Sequence, residues 1–424
     1  MKTKQICSGV QLCSHKTEQF KTSIVTLNII TPLDDNAAKK ALLINLLART
    51  NMNYPSISAM NRKLATLYGA AIAPKVNKIG EAQVLSLSLV CIDNRFALKG
   101  ESILEEGLEL LLDCLFKPDI TTEGFKDENL TREKRLLKEK IDSENDDKIA
   151  YALKRMFEEM CCDEAYSINR LGNKNDIDSI SGKDVFVLWK QLLLGSAFQI
   201  NVTGNFDEEK IEYILKNRFE ALERKKQDIT EIRTEFITES YDVKTVKEKQ
   251  KVQQGKLVLG FRAGMTYDLD NYAAIHLMTA IFGTGTFSKL FTNVREKMSL
   301  CYYCSARLIR SKGIIMVQSG VETENTQKAL EAILEEFEQM KKGNFSNGDI
   351  LAAKLSIIDS IRSSMDSVAS IDSWFLTQCV SGEFCTPEEN IKMIENVSYE
   401  EIVLAANMVT LDTVYILESE QEVE

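Results

Sequence analysis

The chain repeats one set of structural patterns at an offset of ~230 residues, and this internal duplication constrains its fold more than any other feature. In each half, an alternating strand pattern is followed by an apolar helix and a second strand pattern, over residues 23–90 and 256–318. A charged helical segment then follows, and residues 101–106 and 331–336 are identical at five of six positions. Three kinds of element in the same order indicate a duplicated domain.

The duplication predicts an α+β fold of two mixed sheet-and-helix halves, each with helices packed on an antiparallel-rich sheet. A chain of 424 residues is also too long for one ordinary hydrophobic core. We place the first half at 1–224, a charged linker at 225–250 and the second half at 251–424, because apolar residues are too sparse in the linker to build a core. Within the first half, a long helical tract is predicted from about Thr122 to Met160.

The charge and hydropathy of the chain argue against two classes of partner. Lys and Arg number 52 and Asp and Glu 63, which gives a net charge of −11, whereas nucleic-acid binding needs clustered cations. There is no apolar run long enough for a transmembrane helix, and the N-terminus has no apolar signal-peptide segment. We therefore expect a cytoplasmic protein with neither a nucleic acid nor a membrane as partner.

The imidazole supply is restricted to His15 and His276. Their separation excludes any metal motif that needs two histidines close together in the chain. This polypeptide is therefore not expected to build such a site by itself.

The ten cysteines are expected to be reduced in a cytosolic chain, mostly as small apolar side chains. Cys301 and Cys304 have the spacing of redox and zinc sites, but no second cysteine pair or histidine pair accompanies them. Their segment also alternates like a strand, on which residues three apart face opposite sides. The favoured interpretation is therefore core cysteines, and the rival is a thiol protein with a reactive thiolate.

One segment of the second half resembles a known family. Residues 282–302 contain a glycine-containing loop, Ser-x-Leu-Phe, and then Val-Arg-Glu-Lys-x-x-Leu-x-Tyr. This pattern resembles the pitrilysin/insulinase (inverzincin) family of zinc peptidases, and in particular its processing-peptidase-like branch. Residues 254–262 and 201–207 are similar to further family segments, so that the resemblance spans nearly the whole chain. It implies two duplicated halves arranged as a clamshell around a peptide-binding chamber.

The resemblance also shows what this chain lacks. Active family members carry His-x-x-Glu-His on the first helix of the first half, where it binds zinc and activates water. The matching helix, residues 38–49, has no His and no Glu, so we expect no zinc in this chain. Glu139 is the best match to the third ligand and is expected to be one charge among many on a solvated helix.

The second half matches the family's substrate-binding pair. The resemblance implies that Arg295 and Tyr302, seven residues apart, contact the substrate peptide and stabilise charge on the scissile carbonyl. The alternative is that Arg295 pairs with a nearby Glu and that Tyr302 belongs to the core.

Two further candidate sites come from the resemblance. Gly283 and Gly285 resemble the family's glycine-rich loop in shortened form, although a turn that needs positive φ explains them equally well. Tyr68, Gly69 and Ala70 match the sheet edge to which substrate peptides add as a strand.

We therefore predict the non-metal subunit of a two-chain zinc peptidase, inactive alone, which supplies Arg295, Tyr302 and chamber wall. The predicted partners are a homologous subunit that bears His-x-x-Glu-His and zinc, and a peptide substrate. Whether the chain also forms a homodimer stays open. The alternative function is an inactive scaffold subunit of a larger assembly.

Overall fold

The computed structural model describes residues 2–224, 232, 234–265, 271–382 and 385–420. Residues 225–231 and 233 of the predicted linker 225–250 lie outside the described residues, and the last part of the linker is a strand. The first half of the sequence contains these elements: β1 (Lys2–Cys7), β2 (Val10–Lys16), β3 (Thr22–Pro32), α1 (Ala37–Arg49), α2 (Ile57–Thr66), β4 (Ala71–Ile79), β5 (Ala82–Ile92), α3 (Ile103–Phe116), β6 (Ile120–Thr121), β7 (Gly124–Phe125), α4 (Asp127–Asp146), α5 (Lys148–Met160), α6 (Gly182–Gly195), β8 (Ala197–Gly204) and α7 (Glu208–Phe219).

The second half of the sequence contains a matching series. Its elements are β9 (Lys244–Gln250), β10 (Gly255–Arg262), α8 (Tyr272–Gly283), a π-helix (Leu290–Lys297), β11 (Cys301–Ile309), β12 (Ile314–Val321), α9 (Thr326–Lys341), α10 (Asn347–Ser364), α11 (Val368–Ser381), α12 (Pro387–Asn396), α13 (Tyr399–Met408) and β13 (Thr410–Ser419). No helix among the described residues is both long enough and apolar enough to span a membrane.

The two large sheets have the same topology, which confirms the predicted α+β fold of duplicated halves. The first has the order β1-β2-β8-β3-β5-β4, and the second, read from its other edge, has the order β9-β13-β10-β12-β11. In each sheet, the last strand of the half pairs in parallel with a strand near the start of that half, β8 with β2 and β13 with β9. The remaining pairs in both sheets are antiparallel, and β1 is the one additional strand.

The compact units are interleaved along the sequence. The predicted division into 1–224, 225–250 and 251–424 describes the order of the duplicated segments and stays a prediction. Each compact unit of the structure contains one helix from the other half of the sequence. Unit 1 is formed by residues 1–142, 168–233 and 364–384, and unit 2 by residues 143–167, 234–363 and 385–424.

In unit 2, the helix from the first half of the sequence is α5. Its Met156 and Met160 pack with Val258 of β10 and Tyr415 of β13. Gly260 makes room for them, because a Cβ at this position would lie 2.5 Å from the Met160 sulfur. The predicted helical tract 122–160 is therefore two helices that belong mainly to different units. The break comes at Asp147, whose carboxylate accepts hydrogen bonds from the first backbone N–H groups of α5 and so caps it.

A buried group of charges holds the segment that follows α5. The Glu164 carboxylate forms ion pairs with Arg262 Nη2 at 2.8 Å and with Lys312 Nζ at 2.6 Å, and all three side chains are almost fully buried. Arg262 also donates to Asp412 at 2.8 Å and to the last carbonyl of α5, that of Met160, at 2.9 Å. Burial raises the pKa of Glu164, but hydrogen bonds and charge from Arg262 and Lys312 outweigh this and lower it. Removing one partner would leave a buried charge uncompensated.

In unit 1, the helix from the second half of the sequence is α11, which covers β8 and β3. The Asn201 side chain donates to the Asp372 carbonyl at 3.1 Å, and that of Gln199 donates to the Phe375 carbonyl at 3.3 Å. Leu376 packs against Ile30 in a small apolar cluster. The strand face under α11 is therefore matched to this helix by specific polar contacts and not by apolar packing alone.

We expect that neither half of the chain folds without the other, because each sheet would lose the helix that covers one of its faces. Splitting the chain within residues 225–233 should give two fragments that aggregate when expressed alone and form a stable complex when co-expressed. Co-purification followed by urea unfolding checks this. Cooperative unfolding of either isolated fragment would contradict it.

The Asp372 side chain gives this packing a pH dependence. Burial raises its pKa to about 6. The folded state therefore binds more protons than the unfolded state between about pH 4 and 6, and stability falls as the pH rises through this window, by about 3 kcal/mol in total. Asp372→Asn should raise the unfolding free energy more at pH 8 than at pH 5, as measured by urea unfolding. The exposed Asp359→Asn is the control, and an equal effect of Asp372→Asn at both pH values would refute the prediction.

Candidate functional site

Helix α1 does not fit a zinc ion. Its buried face consists of Ala, Leu and Ile side chains together with Lys40, whose ammonium donates to the Pro32 carbonyl at 2.6 Å and pairs with Asp34 at 3.0 Å. The helix carries neither a carboxylate nor an imidazole. Because zinc in proteins is bound by thiolate, imidazole or carboxylate groups, and the catalytic motif also needs a general base, α1 can supply neither ligand nor base.

Glu139 does not compensate for this loss. Its carboxylate is exposed on α4 and pairs with Arg135, one turn earlier, at 2.8 Å. Within the part of the chain that the structure describes, no three His, Cys, Asp or Glu side chains are grouped closely enough to hold a metal ion.

Three departures from regular backbone geometry bring Arg295 and Tyr302 together. Leu290–Lys297 is a π-helix, in which the N–H of Met298 bonds to the carbonyl of Asn293 five residues earlier, at 3.0 Å. Ser299 then adopts the left-handed conformation, with φ of 52°, and turns the chain into β11. A β-bulge follows at the start of that strand. Neither the π-helix nor the bulge was predicted from the sequence.

Arg295 is fixed by three contacts. Its Nε donates to the Tyr302 carbonyl at 2.9 Å, Nη1 lies 3.3 Å from a Glu296 oxygen, and the guanidinium lies 4.5 Å from the centre of the Phe291 ring. The contact with Glu296 is the one expected if Arg295 only pairs with a nearby Glu and does not bind substrate. The direct bond to the Tyr302 backbone was not predicted, and it couples the two candidate residues mechanically.

Tyr302 is a surface residue and not part of the core. Its side chain is 62% exposed and its hydroxyl donates to Glu322 Oε1 at 2.7 Å. This hydrogen bond and the negative charge of the carboxylate raise the pKa of Tyr302, so the phenol stays protonated near neutral pH. A protonated, exposed phenol can donate to a carbonyl oxygen if it leaves Glu322. Sequence reasoning missed Glu322, because no motif marks it and only the pairing of β11 with β12 brings it close.

Gly283 and Gly285 have separate structural roles. Gly283 is the buried last residue of α8, where a Cβ would lie 2.4 Å from the Ala306 side chain and 2.6 Å from its backbone nitrogen. Gly285 has φ of +87° and its carbonyl accepts the Ser288 hydroxyl at 2.8 Å. The positive-φ explanation therefore applies to Gly285, whereas Gly283 is required for close packing of α8 on β11.

The two glycines are expected to differ in their contributions to stability. Gly283→Ala should lower the unfolding free energy by about 3 kcal/mol, because backbone atoms block the new methyl group. Gly285→Ala should cost only about 1–2 kcal/mol, the strain of a left-handed alanine. Urea unfolding of the two matched variants measures this difference, and equal costs would contradict the packing role assigned to Gly283.

Tyr68, Gly69 and Ala70 form the turn before an edge strand and are not strand residues themselves. Tyr68 and Gly69 have positive φ values of 57° and 76°, and Ala70 is buried. The Tyr68 hydroxyl donates to Glu101 at 3.0 Å and accepts the Leu98 N–H at 2.9 Å. The edge strand β4 begins at Ala71 and, among the described strands, pairs only with β5. A peptide that added to this sheet would pair with β4 and pass beside these three residues.

The expectation that Cys301 and Cys304 face opposite sides of β11 is wrong. Cys301 lies opposite Val321 of β12 and Cys304 lies opposite Ser319, with Tyr302 as the additional residue of the bulge. Because Val321 and Ser319 are two residues apart on a regular strand, the cysteines opposite them share one face of the sheet. Sequence alternation predicts the wrong face wherever a bulge inserts one residue.

Comparisons with known proteins place this chain beside inactive relatives of metallopeptidases. Residues 179–357 match the family model described as peptidase M16 inactive domain. YmfF of Bacillus subtilis, described as a probable inactive metalloprotease, is 31% identical over 95% of this chain and 94% of its own length. The crystal structure of a conserved protein from Enterococcus faecalis is 25% identical, with a TM-score of 0.91 over 100% of this chain and 99% of that one. That of a peptidase M16 inactive domain from Pseudomonas fluorescens is 16% identical, with a TM-score of 0.81 over the same shares.

Proposed function

Because this chain belongs to the peptidase M16 family, among its inactive members, we propose that it is the non-metal subunit of a two-chain zinc peptidase. In this proposal a homologous partner supplies the zinc ion and the general base. This chain supplies Arg295, Tyr302 and part of the wall of a peptide-binding chamber. The observation that carries the proposal is the contrast between an α1 without metal ligands and an exposed, hydrogen-bonded Arg295–Tyr302 pair.

The chemistry assigned to this chain is stabilisation of the substrate. Attack of water on a peptide bond places negative charge on the carbonyl oxygen, and a donor already in position lowers the barrier as that charge develops. The exposed phenol of Tyr302 is such a donor once it exchanges Glu322 for the substrate. Arg295 restrains the Tyr302 backbone through its Nε and contributes positive charge beside the peptide. Without a metal-bearing partner, neither group can activate water.

The experiment that tests the proposal begins with the tagged chain recovered from its source cells. A homologous subunit carrying His-x-x-Glu-His should co-purify in equal amount. A quenched-fluorescence peptide mixture should then be cleaved only when both chains are present, and a zinc chelator should stop the cleavage. Recovery of this chain alone, or with unrelated subunits only, would contradict the proposal.

Tyr302→Phe should abolish peptide cleavage by the complex while leaving its assembly intact. Losing one donor to a developing oxyanion is expected to lower kcat by ~10²–10³-fold. Tyr303→Phe is the matched control, because this neighbouring tyrosine lies opposite Gly320, on the other face of β11 from Cys304. Loss of assembly in Tyr302→Phe would mean that the Tyr302 hydroxyl is structural, and activity equal to that of the control would contradict its role in cleavage.

The second candidate function is a scaffold subunit, in which neither half acts on a substrate. The hydrogen bond of Tyr302 to Glu322 favours it, because this bond occupies the donor that catalysis would need. Glu322→Gln separates the two candidates. It keeps a hydrogen-bond acceptor but removes the charge, so it should change cleavage by the complex if Tyr302 must be released and change nothing if the chain is a scaffold.

A further inference from the structure

The bulge at the start of β11 creates a paired-thiol site beside Arg295. Cys301 is half-buried, Cys304 is only 4% exposed, and neither is in a disulfide. Both side chains lie on the same face of β11, opposite Val321 and Ser319 of the neighbouring strand, where the two thiols are close enough to interact. One thiol is therefore partly accessible, and the other is buried on the same face of the strand.

The surroundings activate the thiol of Cys301 and not that of Cys304. Interaction with the Cys304 thiol, followed by Ser319 and the positive charge of Arg295, outweighs burial and lowers the pKa of Cys301 to about 7. The same interaction, together with burial, raises the pKa of Cys304. Arg295 of the π-helix is the charged group that acts on Cys301, whereas the titratable Tyr303 is close in the chain but lies on the other face of β11. Such a pair contains one nucleophile and one resolving thiol.

We propose that Cys301 and Cys304 are a modification site that closes to an intramolecular disulfide by exchange with a low-molecular-weight disulfide. The Cys301 thiolate attacks one sulfur of the small disulfide, forms a mixed disulfide and releases one small thiolate. Cys304 then loses its proton and attacks the Cys301 sulfur, which releases the second small thiolate. Two protein thiols are oxidised, one small disulfide is reduced to two thiols, and the protons pass to those thiols through solvent.

The location of the site links this reaction to the candidate substrate-binding pair. Neighbours on one face of a strand have Cα atoms ~7 Å apart, whereas disulfides span about 4.4–6.8 Å. Closing the bridge therefore has to tighten the bulge. The bulged residue is Tyr302, whose carbonyl accepts a hydrogen bond from Arg295 Nε. Oxidation is expected to displace this contact. The effect on peptide cleavage rests on the proposed function, whereas the thiol reaction does not.

The test uses the full chain without a partner, treated with glutathione disulfide near neutral pH and mapped by mass spectrometry without reduction. The expected product is a peptide spanning Cys301–Cys304 that is ~2 Da lighter than its reduced form. Cys304→Ser should instead retain glutathione on Cys301, and Cys301→Ser should leave Cys304 unmodified. The exposed Cys162 reports that the oxidant is competent.

Two results would overturn the proposal. One is modification of Cys162 with no change at Cys301. The other is a glutathione adduct on Cys301 that persists in the unsubstituted chain, because it would show that Cys304 does not resolve it. Urea unfolding of both serine variants establishes that they are folded. None of these results depends on a peptidase partner, so that failure here and failure of the proposed function are distinguishable.

The role of Arg295 in activating the thiol is tested separately. Arg295→Gln should slow alkylation of Cys301 by iodoacetamide near pH 7 by ~3-fold, because fewer molecules carry the thiolate. Arg295→Lys keeps the positive charge and should react at close to the original rate. Equal rates in all three proteins would exclude Arg295 as the activating cation.

Discussion

The exchange of one helix between the two halves of the sequence is the constraint on which the rest of the structure depends. Helix α5 completes the sheet of unit 2, and the segment after it is held by the buried contacts of Glu164 with Arg262 and Lys312. Helix α11 completes unit 1 through carbonyls that accept the side chains of Gln199 and Asn201. Buried polar groups of this kind favour one placement of each helix, since an incorrectly placed helix would leave them unpaired at a cost in free energy. The duplicated sequence therefore yields two units that have to be built together.

The sequence predicted the sheets more closely than the way in which the helices are shared. Strands such as β3 and β5 alternate with period two, and their repetition in the second half was enough to predict two similar sheets. The assignment of α5 to the other unit depends on long-range packing that no local pattern encodes. The helix break at Asp147 was missed for a different reason, because Asp is common in solvated helices and marks a cap only in context.

The candidate site shows the same limit at the level of single residues. Arg295 and Tyr302 were predicted from a family pattern, and the structure joins them by a hydrogen bond. Glu322, the bulge at Tyr302 and the shared face of Cys301 and Cys304 arise from the register of β11 against β12. Register depends on tertiary pairing, and a single inserted residue changes the face of every side chain before it. The lack of a zinc motif in the first half of the sequence was easier to predict. The absence of His and Glu from α1 is visible in the sequence alone.

The central claim is that this chain completes an active site whose metal belongs to another subunit. Zinc content per chain, measured by mass spectrometry of the metal in the purified complex and in this chain alone, tests the claim most directly. The account predicts one zinc ion for each pair of homologous chains, and none in this chain when it is isolated and exposed to zinc. Stoichiometric zinc in the isolated chain, or a complex with a homologous partner that binds no zinc, would contradict it.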